Sequence, residues 1–257
     1  MRSTTLVIIL ILSFNFCIAQ KQNTKNNTII ISGKVTDFNG NPIDSSVVQI
    51  LHRNFSVAYE TYTDKNGNYI LKNIPNGIYM AMYVIRPKEY PRQNAVPKDK
   101  MRLEYWAWNI IADKDLTINP RYDKLELYGT TAFEVYGGRP GLFIYFRPMS
   151  LTKYLSYSES TFLDKSKSEK EADISVKPEN LDIKIYADDE LLKINSIQTI
   201  QEYTGEDKLP MIGYIVQVDI PKTKPQNPYV IIKVVAENKE YNEKGENIFF
   251  YEFDKFK

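Results

Sequence analysis

Histidine and cysteine are almost missing: the 257 residues contain one of each, His52 and Cys17. A catalytic zinc site needs several nitrogen, sulfur or carboxylate ligands around one ion with a position left open, and a single imidazole cannot build that set. A Ser-His-Asp hydrolase is short of its base for the same reason, and no Gly-x-Ser-x-Gly turn stands in the chain to carry a nucleophile. No cofactor or metal is therefore expected. An excess of either charge is missing too, with 33 Lys plus Arg against 32 Asp plus Glu. That balance speaks against a nucleic-acid partner, which is held by neutralising phosphates. Long apolar runs are absent as well: residues 6–12 form an unbroken apolar stretch, far short of the roughly 20 residues that cross a bilayer.

What that short stretch does suggest is export. Arg2 supplies the positive start, residues 6–12 the apolar core, and Cys17-Ile18-Ala19 the small-residue region where a signal peptidase cuts. Residues 1–19 are read as a signal peptide, which leaves a secreted, periplasmic or cell-surface protein with no transmembrane segment in the mature chain. Lipidation at Cys17 is the alternative, but Phe14 and Phe16 put large side chains where a lipobox wants small ones. If the cut follows Ala19, the only cysteine leaves with the signal. Stability must then come from buried apolar surface and not from disulfides. Residues 20–28 are polar and without periodicity, and are read as a flexible leader.

From residue 29 on, short runs of Val, Ile, Tyr and Thr alternate with turn-forming clusters, the pattern of antiparallel strands. Asn39-Gly40 and Asn66-Gly67 supply the positive φ angles of tight turns. The ordered series Ile31-Ser32-Gly33-Lys34-Val35-Thr36-Asp37, Gly40-Asn41-Pro42-Ile43, Val47-Val48, Thr63-Asp64-Lys65-Asn66-Gly67-Asn68-Tyr69 and Ile74-Pro75-Asn76-Gly77-Ile78-Tyr79 resembles the carboxypeptidase regulatory-like domain family. The resemblance spans residues 29–92. It implies a small transthyretin-like β-sandwich of a kind found in secreted and surface proteins of Bacteroidetes, an accessory module with no catalytic residues to transfer. Asp64-Lys65-Asn66-Gly67-Asn68 also looks like the start of a calcium loop. No carboxylate follows near a twelfth position, so a structural turn is expected.

Pro87, Pro91 and Pro97 mark a stiff polar connector, and a second domain is expected over residues 100–257. Residues 124–136 and 141–147 read as a hairpin around Gly137-Gly138, and the charged tract 157–177 as an exposed loop or short helix. The alternating strands that follow suggest an immunoglobulin-like sandwich. The fold class expected is thus all-β: one sandwich followed by another.

Chemistry points first to Trp106 and Trp108, the only tryptophans. On a strand they share a face with Glu104, and paired indoles beside a carboxylate can hold a sugar ring. The competing reading is that the indoles fill a core. Tyr145 and Arg147 share a face of a strand expected to lie centrally, with Arg147 at its wet end. Arg139, in the Gly-Gly-Arg-Pro turn, is a second cation suited to a sulfate or carboxylate. The ligand-binding set expected is Glu104, Trp106, Trp108, Arg139, Tyr145 and Arg147, and the function a non-catalytic accessory protein binding a polysaccharide or oligosaccharide in a polysaccharide-utilisation setting, with a cell-surface protein as the other partner class. One rival is a lyase or glycosidase working through carboxylates and tyrosine, with Glu104, Glu126, Glu134 and Tyr128 as first suspects. A structural or adhesion protein recruiting partners through strand edges is the third reading.

Overall fold

The computed structural model describes residues 28–253 except 136, 139, 140, 224 and 226. The expected signal segment with Cys17, and Arg139, lie outside the described residues.

Strands β1 (Thr28–Lys34), β2 (Val47–Leu51), β3 (Val57–Tyr62), β4 (Asn68–Pro75) and β5 (Gly77–Ile85) come first. After a connector of three 3-10 turns follow β6 (Tyr105–Ala112), β7 (Leu116–Thr117), β8 (Leu125–Phe133) and β9 (Leu142–Ser150). Helices α1 (Leu151–Leu155), α2 (Glu159–Leu163) and α3 (Lys165–Glu171) interrupt the strands. Then come β10 (Leu181–Ala187), β11 (Glu190–Leu191), β12 (Ile194–Glu202), β13 (Met211–Val218), β14 (Tyr229–Asn238) and β15 (Glu243–Glu252). The chain is all-β in architecture, as its alternating composition predicts.

These strands form three sheets: β4-β1-β7, β12-β13-β9-β8, and a long one of eight in the order β11-β10-β14-β15-β6-β5-β2-β3. Parity in β15 shows how they stack. Ile248 and Phe250 enter a core with Ile31, Ile50, Leu71 and Met82. Tyr251, with Phe249 beside it, enters a second core with Ile144, Phe146, Ile185 and Val216. Neighbouring residues of a strand point to opposite faces, so the three-stranded sheet covers one face of the long sheet and the four-stranded sheet the other. Two sandwiches are present, and the long sheet belongs to both.

Strand β6 makes the join. Val84 pairs with Tyr105 on its β5 side, and Ile248 pairs with Ala107 on its β15 side. The sequence places β6 beyond the connector, in a second unit, yet Tyr105, Ala107 and Ile110 are buried in the first core. The reason is packing: β1 and β4 would otherwise face a sheet too narrow to cover them. The connector itself is pinned down and not free. Glu89 is buried and accepts from Arg86 at 2.7 Å and Arg102 at 2.6 Å, while Arg86 also reaches Asp44 at 2.6 Å.

The hairpin expected around Gly137 is present, with β8 and β9 antiparallel, and β9 lies centrally between β8 and β13. The Asp64 turn is structural. Its Oδ1 accepts the amides of Asn66 at 2.8 Å and Asn68 at 2.9 Å, and Gly67 takes φ +78°, so the carboxylate serves its own backbone. The charged tract after residue 157 forms α2 and α3. They build a small core of their own, in which Phe162, Tyr154 and Ala172 pack with Met101, Leu103 and Leu151. Ser150 caps α1 by accepting from the Lys153 amide at 3.1 Å, and Asp164 caps α3 by accepting from the Lys167 amide at 3.1 Å.

Candidate functional site

Glu104, Trp106 and Trp108 project from the long sheet on the side opposite Tyr105 and Ala107, as strand parity requires. On β8, Leu125 and Leu127 fill the second core, so Glu126 and Tyr128 point away from it. The two sets meet where β8 passes alongside β6. Gly129, at φ +70°, opens a bulge in β8 beside Tyr128, a device that re-aims a side chain next to a site.

The indoles do not present an open platform. They stack on each other at 4.9 Å and 10°, so each covers a face of the other. Tyr83 packs on Trp106 at 4.6 Å, Tyr128 meets both indoles edge-on at 5.7 and 5.5 Å, and Trp108 is only 7% exposed. The expectation of a flat sugar-stacking surface is corrected by this packing. Trp106 instead serves a neighbouring acid, its Nε1 donating to Glu126 Oε1 at 3.1 Å.

Next to Tyr128 of that aromatic cluster lies a cavity of about 500 Å³. Glu104 and Glu126 line it with Tyr90 and Arg92 of the connector, Tyr128 of β8, Arg147 of β9, Tyr154 of α1 and residues of α3 including Ser168 and Glu169. Glu202, Tyr203 and Thr204, which end β12 and begin the following loop, and Lys208 complete the rim. Glu126 is buried, and among the described residues Trp106 supplies its one side-chain hydrogen bond. Glu104 Oε2 is enclosed and, among the described residues, has no hydrogen-bond partner. Among the described residues neither acid makes an ion pair.

Desolvation raises the Glu104 carboxyl from its usual 4.5 to about 7, with a hydrogen bond from its own backbone amide and then the Arg92 charge pulling the other way. Desolvation also pushes Glu126 well above the usual carboxylate range, and the nearby Glu104 charge adds to the rise. Two enclosed acids facing one space resist ionising together, so their protons leave as a pair property. In the neutral range the pair can donate as well as accept hydrogen bonds.

Arg147 and Lys208 carry their own counter-ions. Arg147, expected at a wet strand end, is 17% exposed in its side chain; it pairs with Glu202 at 3.1 Å and sits over the Tyr128 ring at 5.0 Å. The Tyr145 hydroxyl donates to the same Glu202 carboxylate. Lys208 pairs with Glu169 at 2.8 Å. Of the residues singled out from sequence, Glu104 and Arg147 line the cavity, while Trp106 and Tyr145 each support one acid that lines it. Of the rival set, Glu104, Glu126 and Tyr128 are brought together, and Glu134 instead accepts from the Tyr251 hydroxyl at 2.9 Å. Sequence reasoning missed Tyr90, Arg92, Tyr154, Glu202 and Lys208, since their placement depends on how the connector and helices fold over the sheet.

Residues 30–84 match the model of the carboxypeptidase regulatory-like domain family, so the resemblance read from the turn motifs holds for β1 to β5. No curated protein matches the chain. Solved structures similar to it include the major pilin subunit BcpA of Bacillus cereus, at 9% identity and TM-score 0.27, the match covering 88% of this chain and 69% of that one. Another is the full-length major pilin SpaD of Corynebacterium diphtheriae, at 9% identity and TM-score 0.25, covering 87% of this chain and 64% of that one. Overlaps this loose carry no argument about function.

Proposed function

We propose that this chain is an exported, non-catalytic binding protein that holds a carbohydrate-type ligand in the cavity between β6, β8, β9 and the helical cap, in the service of polysaccharide use. One observation carries the reading: a cavity of about 500 Å³ lined by hydrogen-bonding groups of both kinds and by tyrosine rings. Sites for small polar molecules combine a concave aromatic lining with a few placed polar groups, in volumes of about 300–1,000 Å³. Glu104 and Glu126 can accept from or donate to hydroxyls, Arg147 and Arg92 donate, and Tyr90 offers a flat apolar face. The support from sequence has therefore moved from the tryptophan faces to the cavity that Glu104 and Arg147 line. Export rests on the apolar segment of residues 6–12.

The acid pair favours a second reading, an enzyme that cleaves a glycosidic bond, because a carboxyl held protonated near neutrality is what a general acid requires. Affinity gels loaded with neutral and acidic polysaccharides, run beside an assay for new reducing ends and unsaturated uronate, separate the two. Retardation without product, lost at least tenfold in Arg147→Ala, is the outcome expected. Product release would replace the binding reading with the catalytic one, and no retention on any gel would remove both.

A further inference from the structure

The cavity holds two carboxyl groups, and among the described residues no cation of the protein's own is paired with either. Arg147 is taken by Glu202, and Lys208 and Lys165 by Glu169. Arg92 lies near enough to Glu104 to pull on it electrostatically, yet makes no ion pair among the described residues. An enclosed carboxyl without a partner is costly to ionise, and among the described residues Glu104 Oε2 lacks even a hydrogen bond. A metal ion does not fit, since no group of three or more His, Cys, Asp or Glu able to hold one is present among the described residues. An alkylammonium fits better: it brings one positive charge and up to three donors to oxygens that need them.

Resting on the carbohydrate reading, we infer that the ligand is an amino sugar with a free, charged amine, its ammonium seated between Glu104 and Glu126 and its hydroxyls turned toward the arginines and tyrosines of the walls. Binding exchanges one charge for another. The carboxyl proton leaves for solvent and the ammonium takes its place, so the cavity gains no net charge. The groups facing the pair are Tyr83 from β5, Tyr90 and Arg92 from the connector, Tyr128 from β8 and Arg147 from β9. The tyrosines are all held above their ordinary range by burial first, so in neutral solution the released proton comes from the acids.

Calorimetric titration of the full chain with three β-1,4-linked disaccharides of one backbone tests this: glucosamine dimer, cellobiose and the N-acetylated dimer, with cyclohexylamine as a fourth ligand. The glucosamine dimer is expected to bind at least tenfold more tightly than the other three. Its heat should change with the ionisation enthalpy of the buffer, as proton release demands. Glu104→Gln, which leaves no buried charge unpaired, should lower glucosamine-dimer affinity tenfold or more and abolish the buffer dependence of its heat. Equal binding of cellobiose and the glucosamine dimer, or an unaffected Glu104→Gln, would overturn the amine inference while the carbohydrate reading stands. Cyclohexylamine binding as tightly as the glucosamine dimer would instead overturn the carbohydrate reading and keep an amine site. Silence from all four ligands would overturn both.

Discussion

Burial lifts Glu104 to about 7, against 4.5 for an ordinary glutamate, so the folded chain keeps a proton that the unfolded chain has already released. The state that binds more protons gains as pH falls. This contribution to stability is therefore complete below about pH 4.5 and is lost as pH rises through about 7. Glu104→Gln removes the titration. Urea unfolding at pH 8 should show the variant more stable than the parent by on the order of 2–3 kcal/mol, with little difference at pH 4. Equal stability at both pH values would mean that Glu104 is not held protonated. Strand parity alone put Glu104, Trp106 and Trp108 on one side, and that much was legible in the sequence. That the indoles stack on each other was not, because Tyr83 and Tyr128, which box them in, come from β5 and β8. No periodicity in one strand reports its neighbours across a sheet.

At the scale of elements, the bulge in β8 is the local feature most tied to the site. Gly129 at φ +70° lets Tyr128 pair with Arg147 while Thr131 pairs with Tyr145, a shift in register between them. A side chain in that region of backbone space costs about 1–2 kcal/mol, so Gly129→Ala should lose that much in denaturant unfolding. Tyr128 should move with it, and affinity for the carbohydrate ligand should drop together with stability. A variant as stable as the parent would mean that the bulge relaxes without strain. Strands and their turns were readable because β-branched residues alternate cleanly, as in β10, where Leu181, Ile183 and Ile185 are buried between exposed Asp182 and Lys184. The helical cap was only half readable. The run Lys165-Ser166-Lys167-Ser168-Glu169-Lys170-Glu171 looks solvated throughout, and α3 shows as a wall only once Phe162 and Tyr154 anchor the segment over the sheet.

For the whole molecule, the decisive fact is that one sheet serves both cores. The family match ends at residue 84, and the turn motifs and prolines close the first module at residue 92. The first core nevertheless needs Tyr105, Ala107, Ile110 and Leu116 from later in the chain, and β5 needs β6 as its partner. A fragment of residues 28–92 should therefore show no cooperative melting by circular dichroism, whereas the full chain should melt in one transition. A fragment that melts cooperatively would mean that the matched module stands alone. Domain extent was illegible for a physical reason. Sequence marks a boundary by prolines and polar residues, and here Pro87, Pro91 and Pro97 shape a connector that Arg86, Glu89 and Arg102 then tie back to the same body.

Neither acid of the cavity sits on a long loop: Glu126 is a residue of β8, and Glu104 immediately precedes β6. Their spacing is thus fixed by how two sheets pack, and a guest meets a mould that is already set. Little ordering entropy is lost when it arrives. Recognition by such a site works through refusal, and a sugar whose amine is turned to the other side of the ring should find no second arrangement waiting for it.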